Sequence, residues 1–340
     1  MDKQKYRSVA AGEQGIALIF VMSIMVLIAL LAASITTLAL ISNQVSKVNC
    51  DMDKSSYWAE GAADRVIWLL RNDRKLHPTR TMGNVDYAAG DDELERYMAD
   101  GTEHKLDYYG GKVTVSILDA ASGKDISGTN PTKYLLLPQT AFGDDLQAWE
   151  RYKMLMNAVR DYVDFDDFVT VNGGLEAKDY EGLGLEPLPR NYKFEYREEL
   201  LLIPGAEEFF SPNRDGIVSA FRIIAPSGMR AIRGKENFFS TDDQNFITNG
   251  NFDQNEYEAV VDAREQWKTD GTSLSDTLNP DLLSKVKSKY SMRESGFYTF
   301  LIKAQPGDNL PGKIFTCTLQ VPLNLTSGKD FQFYEWRFLQ

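Results

Sequence analysis

The feature that most constrains this chain is an uninterrupted apolar stretch near its N-terminus, from Gly15 to Ser42. Residues 16–42 contain no charged side chain and no proline. As an α-helix with a rise of about 1.5 Å per residue, the stretch would be roughly 40 Å long, which exceeds the hydrocarbon thickness of a bilayer. In lipid the backbone groups must bond within the segment, so a helix is expected. The stretch therefore predicts a helix that lies in a membrane or in a bundle of equally apolar helices.

The residues before this stretch are polar and include Lys3, Lys5 and Arg7. A basic segment ahead of the first apolar helix favours a cytoplasmic N-terminus, so the remainder is expected on the far side of the membrane. A cleaved secretory signal has an apolar core of about 7–15 residues, and this run is about twice as long. Cleavage after the small residues at 31–34 would also leave half of the helix unexplained. A conventional signal peptide is therefore disfavoured.

Composition narrows the classes of function. The 340 residues carry a net charge of −12, which argues against nucleic-acid binding because that function needs a basic face. The length allows one large domain or two smaller ones. The only cysteines are Cys50 and Cys317, and their separation leaves open whether they pair. Zinc-site spacing is absent from the sequence.

Helical periodicity continues beyond the apolar stretch. Apolar residues recur every three or four positions to about Leu70, with charges on the opposite side. One helix of roughly 55 residues is therefore expected to become amphipathic and to cover a sheet with its apolar stripe. We expect residues 71–73 and then His77-Pro78 to end it, since proline cannot continue a helix.

Strands are predicted on both sides of a helical block. Alternation over Lys112–Leu118 predicts a half-buried strand. The predicted helices cover residues 91–94, 146–162, 198–203 (a helix or turn), 257–267 and 282–290, and the further strands cover 296–304, 313–321 and 331–338, the last with aromatics on its core face and edge. The fold class is therefore α+β.

Candidate chemistry is concentrated in one acidic segment. Hard cations such as Ca²⁺ take 6–8 oxygen ligands, which a loop dense in carboxylates can supply. The alternative is a solvated acidic face beside a turn. Two other stretches, 211–216 and 245–256, match a calcium loop incompletely, and we favour turns there because a missing ligand weakens an oxygen cage. The candidate metal ligands are Asp164, Asp166, Asp167, Glu176 and Asp179, with Asp161 beside them.

Enzyme motifs are not found in the sequence. It has no nucleophile elbow, no H-E-x-x-H zinc motif and no phosphate-binding loop. The only histidines, His77 and His104, lie in polar sequence. The chain is therefore predicted not to be an enzyme.

Several motifs together carry a family resemblance. Gly15 precedes Ile16 at the start of the apolar helix, and Phe20 stands where most pilin-type chains have glutamate. Later motifs are Asp161-Tyr-Val-Asp-Phe-Asp166, Gly174-Leu-Glu-Ala-Lys-Asp-Tyr180, Pro189-Arg-Asn191, Glu198-Glu-Leu-Leu-Leu-Ile-Pro-Gly205 and Ser295-Gly-Phe-Tyr-Thr-Phe300. The combination resembles the K-type minor pseudopilins (GspK family) of type II secretion systems. Residues 209–255 lack that family's N-V-N-T-A stretch, so the chain is a divergent match.

The resemblance implies a type IV pilin-like fold, in which a long N-terminal helix packs on an antiparallel sheet and a large helical domain is inserted between strands. The implied parts are a leader at 1–15, a transmembrane and assembly helix at 16–75, a first αβ part at 76–140, the inserted helical domain at 141–290 and a second β part at 291–340.

The resemblance also implies a role. A prepilin peptidase would cut between Gly15 and Ile16, and residues 16–42 would anchor the chain by a single pass in the bacterial inner membrane, with the globular part in the periplasm. The expected partners are two other minor pseudopilins, the pseudopilus and secreted cargo. Members of the family carry calcium in the helical domain. Phe20 implies a tip position, where no neighbouring subunit lies above.

Two alternatives remain at the level of sequence. A minor pilin of a type IV or competence pilus shares this N-terminus, although such pilins usually lack a large helical insertion. An unrelated membrane-anchored periplasmic binding protein would keep its N-terminal helix without processing at Gly15.

Overall fold

The computed structural model has an α+β architecture, which confirms the predicted fold class. A long N-terminal helix is followed by an antiparallel sheet, and a mainly helical segment intervenes along the chain. The structure describes residues 5–77 (side chains from 18), 81–83, 96–108, 110–135, 137, 139–186 (without the side chains of 140 and 141), 189–213, 215–223, 235–243, 246, 250–307, 312–321 and 331–339.

The described part of the chain contains eight α-helices, two 3₁₀ turns and seven strands. The helices are α1 (Lys5–Leu76), α2 (Thr132–Leu135), α3 (Leu146–Val163), α4 (Ala177–Gly182), α5 (Ala206–Phe209), α6 (Gln254–Asp270), α7 (Leu274–Thr277) and α8 (Pro280–Lys289). The 3₁₀ turns are Gln139–Phe142 and Arg197–Leu202. The strands are β1 (Asp100–Tyr108), β2 (Gly111–Asp119), β3 (Lys124–Asp125), β4 (Phe221–Arg222), β5 (Phe297–Gln305), β6 (Lys313–Gln320) and β7 (Gln332–Leu339).

Contacts divide the chain into two compact units, residues 1–55 and 56–340. In the first unit, every side chain from Leu18 to Cys50 is exposed. Among the described residues, one helix is long and apolar enough to cross a membrane, and it lies near the N-terminus. The hydroxyls of its polar residues donate to carbonyls four residues earlier at 2.8–2.9 Å, in Ser23, Ser34, Thr36 and Thr37.

The core of the second unit forms between α1 and one face of the sheet. Ala59, Ala62 and Ala63 are completely buried, and small side chains at these positions let the helix lie close to the strands. Val66 and Leu70 continue the buried stripe. The facing strand residues include Val115, Ile117, Phe300, Ile302, Phe315 and Cys317. The predicted packing of an amphipathic helix on a sheet is therefore confirmed.

Helix α1 ends later than its apolar stripe. The predicted end over residues 71–73 and then His77-Pro78 is confirmed in its second part, because α1 passes through 71–73 and ends at Leu76, directly before His77. Arg74 and Lys75 occupy its last turn, where basic side chains interact favourably with the helix dipole. The sequence places Pro78 two residues further on, which leaves the proline as the stop signal.

The large sheet has the strand order β1-β2-β5-β6-β7, and every neighbouring pair is antiparallel. The predicted strands at 112–118, 296–304, 313–321 and 331–338 are confirmed as β2, β5, β6 and β7. The final strand is an edge of the sheet. Its Phe338 packs against the core while Phe333 and Trp336 are exposed, so the expected core face and edge are both present.

Strand β1 was not predicted from the sequence. Its nine residues, DGTEHKLDY, include few apolar side chains. Only Asp100, His104 and Leu106 are buried, because β1 is the other edge of the sheet. Backbone pairing with β2, rather than a hydrophobic pattern, accounts for this strand.

The chain leaves the sheet after Asp119 and returns at Phe297, and most elements between these points are helices. Two separate cores hold this segment together, one centred on α3 and one on α6 and α8. The predicted helices in it are confirmed, with 198–203 forming a 3₁₀ turn. The predicted helix at 91–94 lies outside the described residues, and the boundaries at 141 and 290 stay predictions.

A buried polar cluster joins the two ends of the helical segment, and we call it the neck. The Asp119 carboxylate accepts hydrogen bonds from the Ser295 backbone N–H (2.8 Å) and hydroxyl (2.6 Å). It also accepts from the Ala121 N–H (2.8 Å) and the Asn237 side-chain amide (3.3 Å). Beside it, Glu294 accepts from the Ala99 N–H, the Tyr298 hydroxyl and Arg74.

The two cysteines are both free thiols. Cys50 is exposed on α1, and Cys317 is completely buried in β6. Burial raises the pKa of the Cys317 thiol to about 12, so the thiol stays protonated and unreactive.

Candidate functional site

The predicted acidic residues occupy the connection between α3 and α4. Asp164 is the C-cap of α3, and its N–H donates to the Arg160 carbonyl at 3.1 Å. Glu176 is the N-cap of α4. Asp166 and Asp167 lie in the loop between them. Helix ends thus hold two of the carboxylates, while the loop holds two more.

Asp161 fixes the position of the loop between α3 and α4, residues 164–176, which we call the acidic loop. The residue is completely buried on α3, and its carboxylate accepts hydrogen bonds from the Thr170 N–H (2.9 Å) and the Thr170 hydroxyl. Gly174 lies against the same carboxylate, because a Cβ there would come within 2.1 Å of Asp161 Oδ2 and 2.6 Å of the Thr170 backbone. Asp161 is therefore a positioning residue for the loop.

Asn191 ties a second loop to the acidic one. Its side-chain amide donates to Asp167 Oδ1 at 3.0 Å and to the Asp166 carbonyl at 3.2 Å. Asp166 Oδ1 in turn accepts from the Phe168 N–H at 3.0 Å. The sequence indicates Asn191 only as part of the motif at 189–191, because its link to the acidic loop depends on contacts across 24 residues of chain.

Asp179 differs from the other four predicted ligands because its carboxylate caps a helix. Its carboxylate accepts the Glu176 N–H at 2.9 Å, which caps the first turn of α4. Acidic side chains in the first turn also interact favourably with the helix dipole. The structure gives Asp179 a capping role, and its role as a metal ligand stays a prediction.

Glu176 is the least compensated of the carboxylates. The residue is only 6% exposed, and neither carboxylate oxygen accepts a well-formed hydrogen bond from the described residues, although the Asp179 backbone N–H faces this side chain in the capping box of α4. Burial raises its pKa to about 7, and the negative charges of Asp161, Asp164, Asp167 and Asp166 contribute further. A buried carboxylate in this state requires either a proton or a cation.

Asp164 shares this situation. Its Oδ1 is buried without a hydrogen-bond partner in the described part of the chain. Burial raises the pKa of this carboxyl, and the charges of Asp166 and Asp161 act in the same direction, partly offset by a hydrogen bond from the Asp166 backbone N–H and by Arg160. Asp164 and Glu176 are therefore the two positions where added positive charge would relieve most repulsion.

The chemistry available here is oxygen coordination. Carboxylate oxygens are joined by the buried Tyr180 hydroxyl and Asn191 Oδ1, neither of which has a partner among the described residues. The hard donor set suits Ca²⁺. Within the described ranges, however, no three His, Cys, Asp or Glu side chains already form a compact metal cage. The carboxylates would have to close around an ion.

The two other candidate calcium stretches form local hydrogen bonds. Asn213 Oδ1 accepts from the N–H groups of Asp215 (2.9 Å) and Ile217 (3.0 Å), so the described part of 211–216 is a turn, as predicted. Asp253 and Glu256 instead form a capping box at the start of α6, with reciprocal hydrogen bonds of 2.9 and 3.0 Å. The preference against a calcium site in either stretch stays a prediction.

The predicted processing and assembly residues lie in α1. Gly15 and Ile16 belong to the helix, and their side chains lie outside the described residues. Phe20 is 66% exposed. Cleavage between Gly15 and Ile16 and the assembly role of Phe20 stay predictions.

Comparisons with known proteins found a similar solved structure but no match in sequence. No protein-family model matches the sequence, and no curated protein matches it. The fold is similar to a chain in the crystal structure of the GspK-GspI-GspJ complex from the enterotoxigenic Escherichia coli type 2 secretion system. That match has a TM-score of 0.46 and 10% sequence identity, and it covers 87% of this chain and 99% of that chain.

Proposed function

We propose that this chain is a minor pseudopilin that caps a type II secretion pseudopilus and helps to start its assembly. The observation that carries the proposal is the combination of a pilin-type N-terminus, Gly15–Ile16 with Phe20, and a helix-on-sheet unit interrupted by a helical segment between β2 and β5. The acidic motif at 161–166 lies in that segment, as the K-type resemblance requires.

Phe20 supports the tip position by a physical argument. In fibre-forming pilins, a glutamate at this position is thought to pair with the N-terminal amine of a neighbouring subunit. An unpaired charge among apolar helices is costly, so a subunit without a neighbour above it is better served by an apolar side chain. Residues 16–42 of this chain contain no alternative carboxylate.

As a minor pseudopilin, the chain acts first in the membrane and then in the periplasm. Residues 16–42 anchor the chain in the bacterial inner membrane before assembly, and the unit after residue 55 lies in the periplasm. Two other minor pseudopilins are its partners, a prepilin peptidase processes it, and secreted cargo meets the assembled tip. The role is structural rather than enzymatic.

N-terminal sequencing after co-expression with a prepilin peptidase tests the pilin class. The mature chain should begin at Ile16, and Gly15→Val should leave the full leader in place while Gly12→Val, the matched control, is still processed. A mature wild-type chain that begins at Met1 would contradict both pilin interpretations and favour an unrelated anchored protein.

Co-purification with candidate partners then separates secretion from a pilus. Two smaller minor pseudopilins should elute with the processed full chain in one complex, and deletion should abolish export of secreted enzymes. Loss of surface pili with normal export would instead assign the chain to a type IV or competence pilus.

We infer further that the acidic segment binds Ca²⁺ as a structural ion. The buried oxygens of Glu176 and Asp164 that accept no well-formed hydrogen bond support this, with Asp166 and Asp167 as additional ligands. Bound Ca²⁺ would neutralise the local repulsion and fix the connection between α3 and α4, and Asp161 and Asn191 would hold the ligands in place.

A further inference from the structure

The acidic loop also displays large apolar side chains, which the secretion role does not explain. Phe165, Phe168 and Val171 are 70%, 82% and 77% exposed. Val169 is also exposed, and Tyr192 in the neighbouring loop lies edge-on to Phe165 with ring centroids 6.2 Å apart. We call these five residues the apolar tip. A concentration of exposed apolar side chains in one loop is typical of an interaction site.

The loop that carries the apolar tip is fixed by hydrogen bonds. The Asn157 side-chain amide donates to the carbonyls of Val171 (3.2 Å) and Asn172 (3.0 Å). The Gly174 N–H donates to the Thr170 carbonyl at 3.0 Å, and Thr170 is itself held by Asp161. The apolar side chains are therefore held in water by a pinned backbone, which is an arrangement suited to docking with little loss of conformational freedom.

Charge around the apolar tip selects the kind of partner. The carboxylates of Asp161, Asp164, Asp166, Asp167 and Glu176 lie in or beside this loop, and no described Lys or Arg forms an ion pair with them, although Arg160 partly offsets the charge of Asp164. One bound Ca²⁺ would cancel two negative charges, so the rim of the apolar tip stays anionic. The nearby Arg190 is already paired with Glu195 and Glu199, at 2.9 and 3.0 Å. An anionic membrane surface would be repelled by this rim, and a second copy of a chain with net charge −12 is a poor match.

We propose that the apolar tip docks against the apolar face of an amphipathic helix in another protein, and that Lys and Arg flank this face. Phe168 and Phe165 are the anchors that pack on the apolar face, and the loop carboxylates face the flanking basic side chains. Aromatic anchors surrounded by complementary charge are the usual energetic centre of such an interface. This docking surface goes beyond the secretion role and holds for any pilin-type assembly.

The test uses the full chain in nanodiscs of zwitterionic lipid and a defined probe, an amphipathic peptide of about 18 Leu and Lys residues. Fluorescence anisotropy should show binding above that of empty nanodiscs. The double change Phe165→Ser and Phe168→Ser should weaken it by about tenfold or more. Leu146→Ser is the control, because Leu146 is an apolar residue that is 64% exposed at the other end of α3, a helix about 26 Å long, and this variant should bind as the wild type does.

The outcomes decide between partners. Equal binding of a matched Leu and Glu peptide, or unchanged binding by the double variant, would overturn the proposal. Phe-dependent binding to anionic vesicles would assign the tip to a lipid surface, and Phe-dependent dimers in sedimentation would assign it to a second copy; either would also overturn it. If the double variant unfolds, Phe168→Ser alone replaces it. Processing at Gly15 serves as the separate readout of the secretion role.

Discussion

The neck and the acidic loop both bury carboxylates, but the neck supplies hydrogen-bond donors to them and the acidic loop supplies few. At the neck, Asp119 accepts four hydrogen bonds, and Glu294 is bonded to Arg74 and two further donors. In the acidic loop, both oxygens of Glu176 and one of Asp164 accept no well-formed hydrogen bond from the described residues. Burial raises the pKa values of all four carboxyls. A raised pKa alone therefore does not distinguish a structural carboxylate from a ligand-binding one.

The groups that surround each carboxylate distinguish the two regions. The donors around Asp119 partly offset the effect of burial on its pKa, whereas the neighbours of Glu176 are other carboxylates that add to it. The neck is complete as it stands and fixes where the helical segment leaves and rejoins the sheet. In the acidic loop, Arg160 is the only described cation that offsets the charge of Asp164, and that difference is why we propose an ion there rather than at the neck.

The largest loss of stability is expected when the Asp119 carboxylate is removed from the neck. Asp119→Ala leaves the backbone N–H groups of Ser295 and Ala121 buried without this acceptor, and it leaves the Ser295 hydroxyl and the Asn237 amide with only longer bonds to carbonyls (3.3 and 3.4 Å). The free energy of unfolding should therefore fall by about 3–5 kcal/mol. Urea denaturation followed by tryptophan fluorescence measures this. Asp125→Ala is the control, because Asp125 accepts from Ser127 in a half-buried turn and should lose only about 1 kcal/mol. Equal losses would show that the neck does not secure the helical segment.

Much of the fold was predictable because hydrophobic period and helix caps are local. Strands β2, β5 and β6 alternate or run apolar, and Asn279 with Pro280 marks the start of α8, where Asn279 Oδ1 accepts the Leu282 N–H at 2.8 Å. Strand β1 has no such pattern. The neck was equally hidden, since Asp119 and Ser295 meet only through the sheet.

The site was predictable as a region but not residue by residue. Sequence reasoning treated five carboxylates alike, whereas the structure gives Asp179 a capping role and separates Glu176 by its burial. The positioning role of Asp161 had a usable signal, because it lies three residues after the buried Ala158 and next to the buried Tyr162, on the apolar stripe of α3. Its acceptor role for Thr170 depended on the loop returning, which no local rule gives.

Calcium provides the next test of the comparison. At a concentration of about 100 times its Kd, an ion that binds only the native chain raises the free energy of unfolding by about 2.7 kcal/mol, and the Tm by about 5–10 °C. A chelator should reverse this in the wild type. Asp164→Asn should abolish the calcium-dependent shift, while Asp119→Ala should lower the Tm but keep it. A wild-type Tm that ignores the chelator would place both sites in the same structural class.

The smallest expected effect on the free energy of unfolding comes from protonation of Glu176 when calcium is absent. In chelator, the pKa of Glu176 is about 7 in the native chain against 4.5 for an ordinary glutamate, so between these values the native state holds more protons than the unfolded one. Stability should therefore be highest below about pH 4.5, fall as the pH rises to about 7, and then level off for this group. Glu176→Gln should remove that slope and gain about 1–2 kcal/mol at pH 8. Glu181→Gln, an exposed change on the same helix, should keep it.

Because Asp119 and Glu294 titrate in both variants, the difference in pH dependence between the Glu176 and Glu181 variants reports on the acidic loop and not on the neck. A slope unchanged in Glu176→Gln would mean that the neck, not the acidic loop, holds the pH-sensitive carboxylates.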